Sequence, residues 1–167
     1  VTLPVATPFP AGPRPAPVRV AATPLPVADV TGDLSTLGPI DLVVVTTAAE
    51  RDRYHQLMAQ HPLGDQPLCG AQLRYLFHSA QGDLGAAACQ SASFALQARD
   101  QWLGWSEATR RGNLARVVAN ARFLILPGVR VPHLASHLLG QLARRLPADW
   151  EARYGVRPLL LETFVHP

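Results

Sequence analysis

The run Arg122-Phe123-Leu124-Ile125-Leu126, stopped by Pro127, limits the folds open to this chain more than any other feature. A short, unbroken apolar run ended by proline reads as a strand buried on both faces, in the middle of a sheet with helices on either side. After a loop from Gly128 to Pro132, the residues Leu134, Leu138, Leu139 and Leu142 recur at the spacing of one helix face. They predict a helix from His133 to Leu146, with Pro147 just beyond it. Residues 159–165, Leu-Leu-Leu-Glu-Thr-Phe-Val, read as the next strand. A strand–helix–strand unit closes with a right-handed crossover, so these two strands are expected to be parallel neighbours, both largely buried.

Upstream, Asp41 to Thr46 is a β-branched run that predicts a strand. Thr47 with Glu50 forms a capping-box pattern opening a helix to Gln60. A loop from His61 to Pro67 follows, then a strand from Gln72 to Ser79, a turn at Gln81-Gly82-Asp83 and a strand from Leu84 to Ser91. Ser106 opens a helix that carries Leu114, Val117 and Val118. The order β-α-β-β-α-β-α-β predicts an α/β fold with a mixed sheet. Residues 1–38 differ in texture, because eight prolines fall within them. Proline fixes φ and lacks a donor, so an extended tail is expected over 1–38 and a folded domain over 39–167. The other reading of that tail is a ligand for a proline-recognising module. Because the chain stops at the end of an apolar strand, that strand is expected to form an exposed sheet edge prone to self-association.

All 15 basic residues are arginine. Without lysine, a P-loop lysine and a lysine Schiff base are excluded. The net charge of +3 permits contact with nucleic acid, but the arginines come in ones and twos, such as Arg110-Arg111 and Arg144-Arg145, and read as solvated faces. Cys69 and Cys89 stand in apolar surroundings without a CxxC pairing and are expected to be small buried residues, which disfavours a disulfide framework or a zinc site. No apolar run approaches the ~20 residues of a membrane span, and no signal-peptide pattern opens the chain. The cytoplasm is the expected compartment, with no membrane partner.

The strongest chemical signal lies between Phe123 and Leu139. A strand, a sharp loop and a helix N-terminus bring free N–H groups and the helix dipole to one place, which suits an anion. This lettering resembles the cofactor loop of the GNAT acyltransferase superfamily. Arg130 falls on that loop's Arg/Gln position, His133 and Ala135 fall on its two glycine positions, and Ser136 follows at the helix start. The resemblance implies a GNAT-like three-layer core with acyl-CoA as cofactor, held by Arg130, His133, Ala135 and Ser136. The pattern departs at Val131-Pro132-His133, where Pro132 cannot donate and a histidine side chain replaces a glycine.

A narrower resemblance covers most of the chain. The strings Gly70-Ala71-Gln72-Leu73-Arg74-Tyr75-Leu76, Arg99-Asp100-Gln101-Trp102-Leu103-Gly104-Trp105-Ser106, Arg122 to Pro127, Leu134-Ala135-Ser136-His137 and Leu161-Glu162-Thr163-Phe164-Val165 are similar to the DruA family. That family is associated with the Druantia anti-phage system and occurs in transposase-like proteins. The resemblance implies a role in defence or mobile-element biology, with partners among other defence proteins or nucleic acid, and a domain lacking its last elements. Two departures stand out: His133 where asparagine is common, and His166 where aspartate is expected. Three readings stay open: a DruA-type defence domain, an acyl-CoA-dependent N-acyltransferase, and a non-catalytic nucleic-acid or protein interaction module.

Individual residues carry their own alternatives. An acid in an apolar strand is costly unless paired, so Glu162 is either a general base in a cleft or the partner of an arginine such as Arg122. His133 and His137 share a helix face at i, i+4, but the HExxH pattern fails at Leu134 and no third ligand is placed nearby, so capping or structural roles are expected. Trp102 and Trp105 are either packing residues or a platform for a nucleic-acid base. No nucleophile elbow surrounds Ser136.

Overall fold

The computed structural model describes residues 29–164. The expected tail therefore lies largely outside the described residues, but its last part does not behave as a tail. Val30–Thr31 forms a short strand, β1, and Val30 and Leu37 are buried in the core. Asp33 caps a 3-10 turn over Leu34–Leu37, which folds this segment back onto the domain. The packed chain thus begins ahead of Pro39.

The main sheet is built from β2 (Asp41–Val44), β3 (Gln72–Ser79), β4 (Gly82–Ser91), β5 (Val117–Ile125) and β7 (Leu160–Thr163), in the order β2-β3-β4-β5-β7. The first three pairings are antiparallel, and β5 with β7 is parallel. A two-residue strand, β6 (Val129–Arg130), pairs in parallel with β1. The helices are α1 (Ala48–Met58), α2 (Gln97–Trp102), α3 (Glu107–Asn113) and α4 (Leu134–Tyr154). Side chains alternate across the sheet, and the two faces meet different helices. Tyr75 points to α4, where its hydroxyl donates to Asp149 at 3.1 Å, while Arg74 points the other way and lies over the Tyr54 ring of α1. The result is a mixed α/β domain in three layers.

Local chemistry explains most of these elements. The Thr47 hydroxyl accepts from the Glu50 N–H at 3.2 Å and Glu50 accepts from the Thr47 N–H at 2.8 Å, closing the capping box at the start of α1. The N–H groups of Thr47 and Thr46, both donating to this carboxylate, hold it down at about 2. In β4, Ala86, Ala87 and Ala88 are all fully buried, so small side chains let both helix layers approach a central strand closely. Along α4, Leu134, Leu138, Leu142, Leu146 and Trp150 form one buried stripe at four-residue spacing. Burial of each large apolar side chain contributes about 1.5–3 kcal/mol.

Several expectations are corrected. The helix expected to stop before Pro147 runs on to Tyr154. An interior proline costs about 3 kcal/mol, and burial of Leu146 and Trp150 on either side of it offsets that cost. The helix opened by Ser106 ends at Asn113, and Val117 and Val118 belong to β5, which is therefore longer than the run from Arg122. Strands β5 and β7 are parallel neighbours, but the pairing runs from Val117–Leu160 to Asn120–Thr163, ahead of the Arg122 run. Strand β7 lies at the sheet edge, half-buried to exposed, in place of the deep burial expected. Cys89 is buried as expected, and burial pushes its thiol up to about 12, but Cys69 is exposed.

Candidate functional site

The unusual end of the sheet is where β5 and β7 meet. Their ladder stops at Asn120–Thr163, yet β5 continues to Ile125, paired from there only with β4. A register shift across Ala88/Cys89 leaves Ala121 as an extra residue in β5. Beyond Asn120 one edge of β5 is therefore open. A cleft of about 390 Å³ occupies this gap, walled by Ala121 to Phe123 on one side and Thr163 and Phe164 on the other. Ala135, Ser136 and Leu139 of α4 close its end, and His61 and Leu63 form its rim.

Two observations give the cleft a polar character. Asn120 is 7% exposed and lines the cleft, and its Oδ1 is buried with no hydrogen-bond partner, while its Nδ2 reaches the Thr163 hydroxyl at 3.4 Å. An orphaned buried acceptor costs about 1–3 kcal/mol, so a donor from a ligand has something to gain there. At the start of α4 the His137 N–H bonds to the His133 carbonyl, but the N–H groups of Ala135 and Ser136 have no partner among the described residues. His61 accepts from the Leu63 N–H through Nδ1 at 3.1 Å, and burial, then the nearby Arg122 guanidinium, lowers its pKa below the ordinary histidine value.

The four residues expected at an anion are divided. Ala135 and Ser136 line the cleft; Arg130 sits in β6 opposite Thr31, and His133 stands at the turn before α4. His133 takes φ 62°, among the described residues the only non-glycine with positive φ. Its neighbour on the helix face, His137, meets Gln141.

Glu162 points to the opposite face from Thr163, into a buried ionic cluster. Its Oε2 meets Arg99 Nη1 at 3.4 Å, and not Arg122, which donates instead to the carbonyls of Gly64 and Ala121. Arg99 also donates from Nε to Asp100 at 3.0 Å and from Nη1 to the Ser93 carbonyl at 3.0 Å. Arg110 donates to the other Asp100 oxygen at 2.8 Å. That bond, with Arg99 adding to it, holds the Asp100 carboxyl below its usual range. Trp105 and Phe94 cover the guanidiniums, with Arg110 4.9 Å from the Phe94 ring centre. Two cations and two anions balance here, yet Glu162 Oε1 and Arg110 Nε stay buried without partners. Trp102 is 78% exposed, so the packing reading fails for it and holds for Trp105 alone.

The sequence does not mark Arg99, Asp100 or Asn120 as site residues, and Arg110, expected with Arg111 on a solvated face, instead turns inward to Asp100 with its side chain 16% exposed. The adjacent pair Arg99-Asp100 inside an otherwise apolar stretch was the available signal. Asn120 was hidden because the first half of β5 reads as helix.

The architecture is thus that of a mixed α/β domain with a ligand-sized gap between parallel strands. A family described as Druantia protein DruA matches residues 23–167, and the chain belongs to this DruA family. No curated protein and no solved structure matches the chain. Among the described residues no helix is long and apolar enough to cross a membrane.

Proposed function

We propose that this chain serves bacterial anti-phage defence as a cytoplasmic DruA-type protein, and that the β5–β7 cleft takes an acyl-CoA, as in the acyltransferases its loop resembles. The observation that carries this reading is the unpaired, buried Asn120 Oδ1 beside a strand gap that ends at a helix N-terminus. The residues present fit the group. Asn120 Oδ1 offers an acceptor to an amide of the pantetheine arm, and the Ala135 and Ser136 N–H groups offer donors to the pyrophosphate. Phe123, Leu139 and Phe164 offer apolar walls to its methylenes. His133, on one of that loop's glycine positions, takes φ 62°, a left-handed conformation that glycine adopts freely.

When bound, the group supplies an acyl thioester for transfer to an amine. Glu162 does not line this cleft: it turns to the sheet face opposite Thr163, where Arg99 meets its Oε2. Calorimetry with coenzyme A and acetyl-CoA tests the reading. Binding is expected, and Asn120→Leu, which removes the orphan acceptor without opening a cavity, weakens it about tenfold while leaving thermal stability unchanged or higher. No heat from the unsubstituted chain at millimolar ligand would sink the proposal.

A further inference from the structure

A second cleft, of about 640 Å³, lies at the other end of the sheet, between the ends of β2 and β3 and the last two turns of α4. Three arginines from three elements line it: Arg51 from the first turn of α1, Arg74 from β3 and Arg153 from α4. Six other arginines (Arg53, Arg99, Arg110, Arg111, Arg145 and Arg157) are in ion pairs, but these three meet no carboxylate among the described residues. The acid at the wall, Asp149, is already occupied by Arg145 at 3.0 Å and the Tyr75 hydroxyl at 3.1 Å. The cleft is therefore a site of uncompensated positive charge.

Its walls are ordered in advance. Arg51 donates to the Thr46 carbonyl at 2.7 Å from one nitrogen, and Arg74 lies over the Tyr54 ring at 5.5 Å, which leaves the rest of each guanidinium fork for another acceptor. The Tyr154 hydroxyl donates to the Gln72 carbonyl at 2.7 Å and accepts from the Gln72 N–H at 2.9 Å, pinning a ring that is 36% exposed. Gln72 Oε1, in the same wall, is buried without a partner. Arginine forks match phosphate oxygens in two-pronged geometry, an exposed aromatic ring stacks a base of any identity, and an unpaired amide oxygen accepts from a base amino group. Arg153 also complements the carboxyl end of α4, but that role needs neither Arg51 nor Arg74.

We propose that this cleft binds the backbone of single-stranded nucleic acid, with Arg51, Arg74 and Arg153 on phosphates and Tyr154 stacking a base. Its volume falls in the range of small-ligand sites, about 300–1,000 Å³, which admits a few unpaired nucleotides and not a duplex. The site is separate from the β5–β7 cleft and does not depend on the acyl-CoA reading.

Fluorescence anisotropy of the 167-residue chain with a labelled mixed-sequence single-stranded DNA, the matching RNA and a hairpin duplex provides the test. Three phosphate contacts predict a slope of log affinity against log salt near −2, hence about 20-fold weaker single-strand binding between roughly 50 and 200 mM salt. The double variant Arg51→Ala/Arg153→Ala is expected to flatten that slope to about −0.7. Arg116→Ala/Arg144→Ala removes the same charge at exposed positions outside the cleft and is expected to leave affinity within about twofold, the distinction expected between contacting and remote charges. Tyr154→Leu, checked for unchanged melting, is expected to lose at least about fivefold. Three results overturn the proposal: no single-strand binding at low salt, equal losses in both double variants, or binding of a free nucleoside triphosphate with none of the strand.

Discussion

At the β2–β3–β4 end of the sheet every pairing is antiparallel, the β3–β4 ladder spans Gln72 to Ser79 with one register shift, and the side chains between the helix layers are Tyr75, Phe77, Leu84 and a row of alanines. At the β5–β7 end a parallel pairing stops partway, Asn120, Arg99 and Asp100 are buried with Arg110 and Glu162 partly so, and three polar atoms of this group are unsatisfied. The antiparallel end is held mainly by apolar burial, although Gln72 Oε1 of β3 is buried there without a partner. The parted end keeps polar groups out of water at a cost, the kind of strain that collects where a protein binds or reacts. The two ends thus differ in what is left over: a charged cluster buried inside the β5–β7 end, and arginines set around an open cleft at the β2–β3 end.

The largest expected effect is at the parted end. Arg99→Ala removes a guanidinium whose side chain is only 3% exposed and strands Glu162 and one Asp100 oxygen in a buried site. Breaking a buried pair from one side costs about 3–5 kcal/mol, measured as a lower midpoint in urea. Arg157→Ala breaks a surface pair with Glu151 and is expected to cost less than about 1 kcal/mol. Equal losses would erase the distinction between a buried cluster and ordinary surface pairs. The cluster should also show in acid. Asp100 has a folded pKa below its ordinary 3.8, so its contribution is complete above that value and is lost as pH falls through the folded pKa. Arg110→Ala, which removes the main cause, should shrink the acid-side loss seen below about pH 4.

The next effect lies in the antiparallel part of the sheet. A Cβ on Gly85 would stand 1.9 Å from the Leu124 carbonyl oxygen, so β4 and β5 must separate to admit it. Gly85→Ala is expected to cost about 3 kcal/mol in urea unfolding. Gly140→Ala, on α4 with only the flexible end of Arg144 near it at 3.5 Å, is expected to stabilise by up to about 1 kcal/mol. A mild Gly85→Ala would mean that the close strand approach is softer than the ladder implies.

What the sequence disclosed follows the range of the forces involved. Strand β3 and the capping box of α1 rest on local periodicity and on contacts within four residues, and both were legible. The continuation of α4 through Pro147 was not, because Leu146 and Trp150 are held by burial in a core assembled from distant parts of the chain. Pairing of β1 with β6 joins Val30 to Val129, a contact no local pattern encodes. At the candidate site, Ala135 and Ser136, named through the resemblance to the acyltransferase loop, line the cleft. Asn120 and Arg99 were not legible, since their importance lies in burial that only tertiary packing creates. Glu162 was recognised as a buried acid, but its partner came from α2, far away in sequence, and not from Arg122 on the neighbouring strand.

The smallest expected effect concerns the turn that feeds the candidate cleft. His133 holds φ 62° and ψ 4° at the N-cap of α4, with no hydrogen bond from its side chain to the helix. A left-handed backbone costs most residues about 1–2 kcal/mol, whereas glycine adopts it freely and asparagine tolerates it better than other side chains. Histidine also fails here as a cap, because its ring accepts nothing from the free N–H groups of the first turn, a role suited to asparagine. His133→Asn is therefore expected to raise stability by about 1 kcal/mol, seen as a higher melting temperature, and His133→Gly by somewhat less. If the cleft uses the free N–H groups of Ala135 and Ser136, the asparagine variant has a second consequence. Its side chain competes for one of those donors, so coenzyme A binding should weaken while stability rises, whereas glycine should improve both. Parallel gains in stability and binding for both variants would show that those N–H groups take no part in binding at the parted end.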